Sequence, residues 1–445
     1  MRNNKNVYFS NGCITDAIIV LLGAVVLTQF YIMLFEGLFT APIFSEKLSG
    51  IMKFSGSLTN QFISLLSANS AIVAPLFGIV MLSAAVLLIL LIGRSIIANI
   101  TGIGFLLGWI LLWNYPGMWT FELLFPALFG IFVGLSKVGH PFYGLSLYHQ
   151  LSLSKISRVF VILLLSCFLG YVTFYAGIHS ISPYKPAISA ALTFMILSYI
   201  HLKLDRYLAK KKYSTKVKAR TGIRKIIANV NWVDVIILMI GSMMVAQVYS
   251  NYYSELYTVK NFESLGQYYA NTSANYWLRP FLAWAANHGT LLVPLFITFE
   301  VTIAISLALL VLRGPITLSA AFLFFLLSFA EFGVSSTWPP KLGYYTWQWE
   351  LLLAASVALL ISIGKLEEMY RAKTFKEAIL GKKLFYSLPM LARFFIAIIA
   401  AILLYFVGIA THIFGSAYQS ISLSAAITFF VLLMILAWTD KYRSN

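Results

Sequence analysis

The sequence predicts an all-α membrane protein with about twelve transmembrane helices, arranged as two parallel repeats of six. Three observations support this fold class: the composition, the spacing of the apolar runs, and the likeness of the two halves. Hydrophobic residues make up 60% of the 445 residues and charged residues only 11%. Mean hydropathy is +0.85. Soluble domains carry about a quarter charged residues, so this composition excludes a soluble fold.

Apolar runs recur along the whole chain. Each has about 18 residues or more, enough to cross the roughly 30 Å hydrocarbon layer. The predicted helices span 16–38, 71–93, 95–113, 118–136, 157–178, 187–204, 233–253, 290–312, 315–333, 345–364, 391–411 and 421–438.

The loops between these helices carry charge unevenly. Of the 32 Lys and Arg residues, all but six fall in segments on one side of the predicted membrane. This asymmetry predicts a multi-pass protein of the plasma membrane with both termini in the cytoplasm. Topology and lipid headgroups account for the net charge of +17, so we expect no nucleic-acid partner. The six exceptions are Lys47, Lys53, Lys185, Lys260, Arg279 and Lys341.

The second half of the sequence repeats the first. "PGMWTFELLFPALFGIFVGLSK" (116–137) aligns with "GYYTWQWELLLAASVALLISIGK" (343–365), and the offset between matched residues grows from 218 at Asp16 to 235 at Asp205. The matched pairs are Asp16/Asp234, Gly23/Gly241, Gln29/Gln247, Tyr31/Tyr249, Pro75/Pro294, Phe77/Phe296, Arg94/Arg313, Trp119/Trp347, Glu122/Glu350, Lys137/Lys365, Arg158/Arg393, Ser189/Ser424, Thr193/Thr428, Phe194/Phe429, Asp205/Asp440 and Tyr207/Tyr442.

This duplication predicts the domain organisation. Each copy carries an even number of helices, so both copies have the same orientation and are related by an axis near the membrane normal. We therefore expect a first six-helix repeat over 1–204, a basic cytoplasmic linker over 205–231 and a second repeat over 232–445.

Two acids within apolar runs are the candidate functional residues. Glu300 lies about ten residues into its predicted helix, near mid-bilayer, and the first half has Met81 there. Glu350 lies nearer its helix end. A charge at the bilayer centre costs about 2.5–3.5 kcal/mol, so such acids are functional candidates. The predicted polar or quinone pocket contains Glu300, Glu350, Glu331, His288, Trp347 and Trp349, and its first-half counterpart contains Glu122 and Trp119.

A packing role is the alternative for part of this set. Glu122 and Glu350 each begin a stripe of small residues, which lets a neighbouring helix approach closely. Their carboxyl groups then accept hydrogen bonds that lock helix packing. We expect no metal or haem site, because Cys13 and Cys167 lie far apart and the six histidines fall near helix ends or in loops. No catalytic residue is assigned from a motif.

The second half resembles the DoxX/DoxD superfamily. "FITFEVTIAISLALLVLRGPITLSAAFLFFLLSFA" (296–330) followed by "TWQWELLLAASVALLISIGK" carries the features of that family. An acid in the second helix falls on Glu300, a Gly/Arg break on Arg313-Gly314, and a Trp-Glu start of the fourth helix on Trp349-Glu350. The resemblance implies a four-helix core in each repeat. The chain departs from the family where Asp234 replaces its usual basic residue, as Asp16 does in the first half.

DoxD-like proteins are associated with the membrane subunit of thiosulfate:quinone oxidoreductase. The resemblance implies an integral membrane subunit of a redox or respiratory complex, with other membrane subunits and lipids as partners. It also implies a quinone as the noncovalently bound cofactor and Glu300 or Glu350 as its proton partner. Any enzymatic activity would then belong to the complex, because this chain has no cysteine cluster to carry electrons.

Two other function classes stay open at this point. One is a structural scaffold subunit without chemistry, in which the duplication serves as a fused dimer. The other is a proton-coupled transporter of a small or lipophilic substrate, since six-plus-six parallel repeats and intramembrane acids also occur in transporters. The junctions "LIGRSIIANI" and "LVLRGPITL" lack the charged residues that major-facilitator transporters carry there.

Overall fold

The protein is helical wherever its structure is described. The computed structural model describes residues 9–53, 57–112, 121–176, 183–210, 230–273, 275–331, 347–381, 389–410, 418–440 and 443. These residues form helices, turns and one isolated bridge between Ile92 and Tyr143. The all-α prediction is confirmed.

The helices occur in the same order in the two halves. The first half contains α1 (Asn11–Phe35), α2 (Ala41–Met52), α3 (Ser57–Ala68), α4 (Ser70–Ile89), α5 (Arg94–Leu112), α6 (Phe121–Ser136), α7 (Leu147–Gln150), α8 (Lys155–Ala176) and α9 (Tyr184–Lys210). The second contains α10 (Trp232–Tyr253), α11 (Val259–Thr272), α12 (Arg279–Ala286), α13 (Gly289–Ala308), α14 (Arg313–Glu331), α15 (Trp347–Tyr370), α16 (Phe375–Leu380), α17 (Met390–Ala410) and α18 (Tyr418–Thr439).

A helix covers each of the twelve predicted spans. Within the described residues, ten helices are long and apolar enough to cross a membrane: α1, α4, α5, α8, α9, α10, α13, α14, α17 and α18. The other two predicted spans fall on α15 and on α6, whose apolar part, Leu123–Ser136, is shorter. The chain is therefore an integral, multi-pass membrane protein with lipid-facing helices.

The described residues fall into two compact units, made mainly of the first half and mainly of the second. In the first, α1 packs against α4 and α9, and α8 packs against α9. In the second, α10 packs against α13 and α18, and α17 packs against α18. Helix α9 continues to Lys210, into the predicted linker, whose residues 211–229 lie outside the described part.

Local sequence determines where the central helices begin and end. Ser10 caps α1 by accepting a hydrogen bond from the Cys13 amide at 3.3 Å. After α1 the chain reverses at Gly37, whose φ of +78° is left-handed. Glu255 adopts φ +57° at the corresponding place after α10, although such φ values favour glycine. The long connections that follow are helical, with α2 and α3 in one half and α11 and α12 in the other.

Close helix contacts surround a glycine in each half. A Cβ on Gly23 would lie 2.8 Å from Leu88 Cβ, and one on Gly241 would lie 2.8 Å from the Ala308 backbone nitrogen. Backbone atoms cannot give way as a flexible side chain can. The approach of α10 to the end of α13 therefore requires a residue without a side chain at Gly241.

Gly241→Ala should lower the stability of the protein by about 1–3 kcal/mol, because the added methyl group overpacks the contact. The readout is the temperature at which the detergent-purified protein stops eluting as a single species. Gly104→Ala is the matched control, since a Cβ at Gly104 meets nothing within 4 Å. Equal melting temperatures of the two variants would contradict the close approach at Gly241.

Candidate functional site

Glu300 lies in a buried cluster of polar side chains in the second half. The Glu300 side chain is on α13, and the residue is only 2% exposed. The Asn251 amide donates to both carboxyl oxygens, at 3.1 and 3.0 Å. The Tyr257 hydroxyl donates to Oε2 at 2.7 Å, and Gln247 donates to Asn251 Oδ1 at 2.8 Å. We call these four residues the Glu300 cluster.

The course of the chain explains why these residues meet. Gln247 and Asn251 are four residues apart on α10 and therefore share a face. The turn at Glu255 then brings Tyr257 back against α13. The Tyr257 ring packs edge-on against Phe296, with 6.3 Å between centroids, one helical turn before Glu300. The cluster therefore lies level with the last turn of α10.

The direct hydrogen-bond partners of the Glu300 carboxyl are uncharged in the described part of the chain. Ionising a carboxyl group that is buried without a cation is costly, so the proton occupancy of such a group depends strongly on its surroundings. Burial, and then the adjacent carboxyl, raise the pKa of Tyr257 well above its ordinary value. The Tyr257 hydroxyl therefore keeps its proton and remains a donor.

The first half forms a similar turn without three of the four polar side chains of the Glu300 cluster, and Gln29 stands at the place of Gln247. Met33, Phe39 and Met81 take the places of Asn251, Tyr257 and Glu300. The backbone amide three residues after the end of the helix donates back to it in the same way: Leu38 N to Met33 O at 2.9 Å, and Leu256 N to Asn251 O at 2.9 Å.

The aromatic packing is also the same in both halves. Phe39 meets Phe77 at 6.0 Å and 64°, and Tyr257 meets Phe296 at 6.3 Å and 65°. The local fold therefore forms equally with apolar side chains. The hydrogen bonds of Asn251, Tyr257 and Glu300 are therefore not required to form this turn.

The other predicted pocket residues are placed as follows. His288 is exposed at the start of α13, stacks on Trp284 at 4.8 Å and lies about 18 Å from Glu300 along the helix. The structure thus brings Glu300 together with Asn251 and Tyr257, and His288 with Trp284. The side chains of Glu122, Glu331, Trp347, Trp349 and Glu350 lie outside the described part, as does all of Trp119. The wider pocket stays a prediction.

A buried carboxylate with two cations lies in each half. In the Asp16 triad, Arg94 Nη1 is 2.9 Å and Lys137 Nζ 2.7 Å from the carboxylate. In the Asp234 triad, Arg313 pairs with the carboxylate and Lys365 Nζ lies at 3.1 Å. All six side chains are buried.

The triads also hold the neighbouring backbone. Arg94 donates to the Pro141 carbonyl at 3.1 Å, and Arg313 donates to the Leu380 carbonyl at 2.9 Å. Arg443 donates to the Leu310 carbonyl at 3.1 Å, and burial followed by the nearby Arg313 lowers the pKa of Arg443 to about 10. These contacts tie transmembrane helices to the segments that follow them.

Sequence reasoning did not assign the triads, although their signal was present. Each triad is an Asp, an Arg and a Lys at matched positions of the two halves. Tyr31 and Thr193 likewise form a hydrogen bond of 2.6 Å, and the matched Tyr249 and Thr428 form one of 2.7 Å. Polar residues that recur at matched positions form contacts required in both halves.

Comparisons with protein-family models, with curated proteins and with solved structures found no match for this chain. In the described part, no group of three or more His, Cys, Asp or Glu side chains is arranged to hold a metal ion. The fold and its buried charges define the class as an integral, multi-pass, all-helical membrane protein.

Proposed function

We propose that the chain is an integral membrane subunit of a redox or respiratory complex whose second half binds a quinone-type headgroup beside Glu300. The observation that carries this proposal is that Glu300, Asn251 and Tyr257 of the cluster occur in one half only. Met33, Phe39 and Met81 support the same turn in the other half. Because the fold does not require these polar groups, and intramembrane acids are functional by default, they mark a site.

The chemistry of the cluster fits such a headgroup. Quinone carbonyl oxygens accept hydrogen bonds, and Tyr257, Asn251 and a protonated Glu300 are donors. Elsewhere in the second half, Ser422 has a buried hydroxyl with no hydrogen-bond partner among the described residues. It lies on α18, which packs against α10 and α13, and the first half has Ala187 at the matched position.

Each component of the proposed complex has a defined role. A bound quinone supplies two-electron, two-proton chemistry, and partner subunits supply the electrons. Tyr257 and Asn251 orient the headgroup, and Glu300 holds or releases the accompanying proton. The DoxX/DoxD-like features at Glu300 and Arg313-Gly314 support this role, as does the four-helix core they imply.

The proposal includes a tandem duplication and a plasma-membrane location with cytoplasmic termini. The matched triads and the matched Tyr–Thr hydrogen bonds support the duplication. The concentration of Lys and Arg on one side of the predicted membrane supports the orientation.

A scaffold without chemistry is the second candidate. The two triads favour it, because they recur in both halves and join helices without leaving a reactive group free. A scaffold would copurify with defined partners, and its function would not depend on Glu300.

Purification of the native protein in mild detergent, with mass spectrometry of its bound proteins and lipids, tests the proposal. We expect respiratory subunits together with extractable quinone. Glu300→Gln should assemble normally but slow turnover of the complex by about a hundredfold, the lower end of the effect of a positioned proton-transfer group. Normal turnover of Glu300→Gln with intact partners would favour the scaffold. A lone chain without quinone would favour a transporter.

A further inference from the structure

We infer that Glu300 exchanges its proton through Tyr257 with the membrane face that carries α11 and α12, here called the hairpin face. It does not exchange with the opposite face, where the Asp234 triad lies, here called the triad face. This inference rests on the proposed function and adds the membrane face with which the site exchanges protons.

The exposure of the cluster points to the hairpin face. Glu300 and Asn251 are buried, whereas Gln247 and Tyr257 are partly exposed. Tyr257 belongs to the turn between α10 and α11, at the end of the bundle, and its hydroxyl contacts the carboxyl directly. Gln247 bonds to Asn251, so Tyr257 is the partly exposed member of the cluster that contacts the Glu300 carboxyl and joins it to solvent.

The path toward the triad face is apolar and tightly packed. Asp234 and Asn251 are separated by about 25 Å along α10. The residues buried between them on α10, α13 and α18 are apolar, with the exception of Ser242. The Ser242 hydroxyl donates to the Met239 carbonyl of its own helix at 2.7 Å. These buried apolar residues include Ile236, Ile237, Met239, Ile240, Met243, Met244, Val245, Ala246, Ile303, Ala304, Leu307, Ala308, Phe429, Leu432 and Leu433.

The close contact at Gly241 closes this region further. Even a methyl group there would meet the backbone of Ala308 at 2.8 Å, so no space is left between the two helices at this contact. The described structure thus separates the two polar regions of the second half.

The proton transfer balances at Tyr257. As the hydroxyl accepts a proton from hydronium at the hairpin face, it passes its own proton to Glu300 Oε2, so one O–H bond breaks while another forms at the same oxygen and water is left behind. The phenol is regenerated, and one proton is gained by the carboxylate. The charged residues of this turn and of α11 are Glu255, Lys260 and Glu263. On α10 and α18, Tyr249 is bonded to Thr428.

The test uses the full chain in proteoliposomes sorted by orientation through capture on a terminal affinity tag. Infrared difference spectra after a jump in external pH follow the carboxyl band that disappears in Glu300→Gln. We expect an immediate response when the hairpin face is outside, and a delayed one when the triad face is outside. Tyr257→Phe should slow the fast response by about a hundredfold.

Tyr249→Phe is the matched control, because it removes a tyrosine hydroxyl from the same half but leaves the Glu300 cluster intact. It should leave the response rate unchanged. A fast response from the triad face, or an unchanged rate in Tyr257→Phe, would overturn the inference and leave the proposed function standing. The absence of a pH-responsive Glu300 band from either face would overturn both.

Discussion

A variant with Glu300→Met, Asn251→Met and Tyr257→Phe should fold normally and lose its bound quinone-type molecule. These substitutions reproduce the side chains that the first half carries on the same backbone. Because methionine is larger than asparagine but fits at the matched position of the first half, stability should fall by no more than about 1–3 kcal/mol. Thermal unfolding of the detergent-purified protein measures the first effect, and mass spectrometry of extracted lipids measures the second.

Glu300→Gln separates binding from proton transfer in the same experiment. The amide keeps the shape of the side chain and, like a protonated carboxyl group, has one acceptor oxygen and one donor group, but it cannot release a proton at neutral pH. We expect it to keep the bound molecule while turnover falls. If the triple variant unfolds or aggregates, the Glu300 cluster is part of the structural framework, and the scaffold role gains support.

Asp234→Asn should destabilise the second half strongly. The substitution leaves Arg313 and Lys365 buried without their carboxylate, and removal of one partner from a buried ion pair costs about 3–5 kcal/mol. Asp16→Asn should act in the same way on Arg94 and Lys137. The readout is the yield of monodisperse protein and its melting temperature, both of which should fall.

Glu368→Gln is the matched control for the Asp234 triad. Glu368 also pairs with Lys365, at 3.0 Å, but its side chain is 45% exposed. An exposed pair contributes at most about 1 kcal/mol, so this variant should melt close to the unaltered protein. Equal losses in Glu368→Gln and Asp234→Asn would contradict the assignment of the buried carboxylate as the anchor of the helices.

The transmembrane helices could be predicted because the membrane imposes length and apolarity on them. Their ends could not, since caps and polar extensions carry no hydropathy signal. The first helix was expected over 16–38 and spans Asn11–Phe35, because Ser10 caps its start and Gly37 reverses the chain after its end. Helix α9 similarly extends to Lys210, six residues past its predicted end, through a polar stretch.

Glu300 could be singled out as a candidate site residue because burying a carboxyl group in an apolar run costs free energy. Its partners could not, since polar uncharged residues are common near helix ends. The turn at Glu255, which returns Tyr257 to α13, has no hydropathy signal of its own. A comparison of the two halves points to these partners, because Met33 stands at the place of Asn251 and Phe39 at the place of Tyr257.

The repeat alignment contained the residues of both triads, but it did not reveal that they contact one another. Asp234, Arg313 and Lys365 each match a residue of the same type in the first half. Their recurrence indicates a shared role, but they lie on three different helices. Which of them meet depends on helix packing, and the sequence pattern alone does not contain it.

The most direct test of the central claim is the amount of quinone bound per chain in the unaltered protein and in the Glu300→Met, Asn251→Met, Tyr257→Phe variant. Both proteins are purified in the same mild detergent, and their extracts are quantified side by side. We predict near-stoichiometric quinone in the unaltered protein and background levels in the folded variant. Equal quinone content in the two proteins would contradict a binding site at the Glu300 cluster.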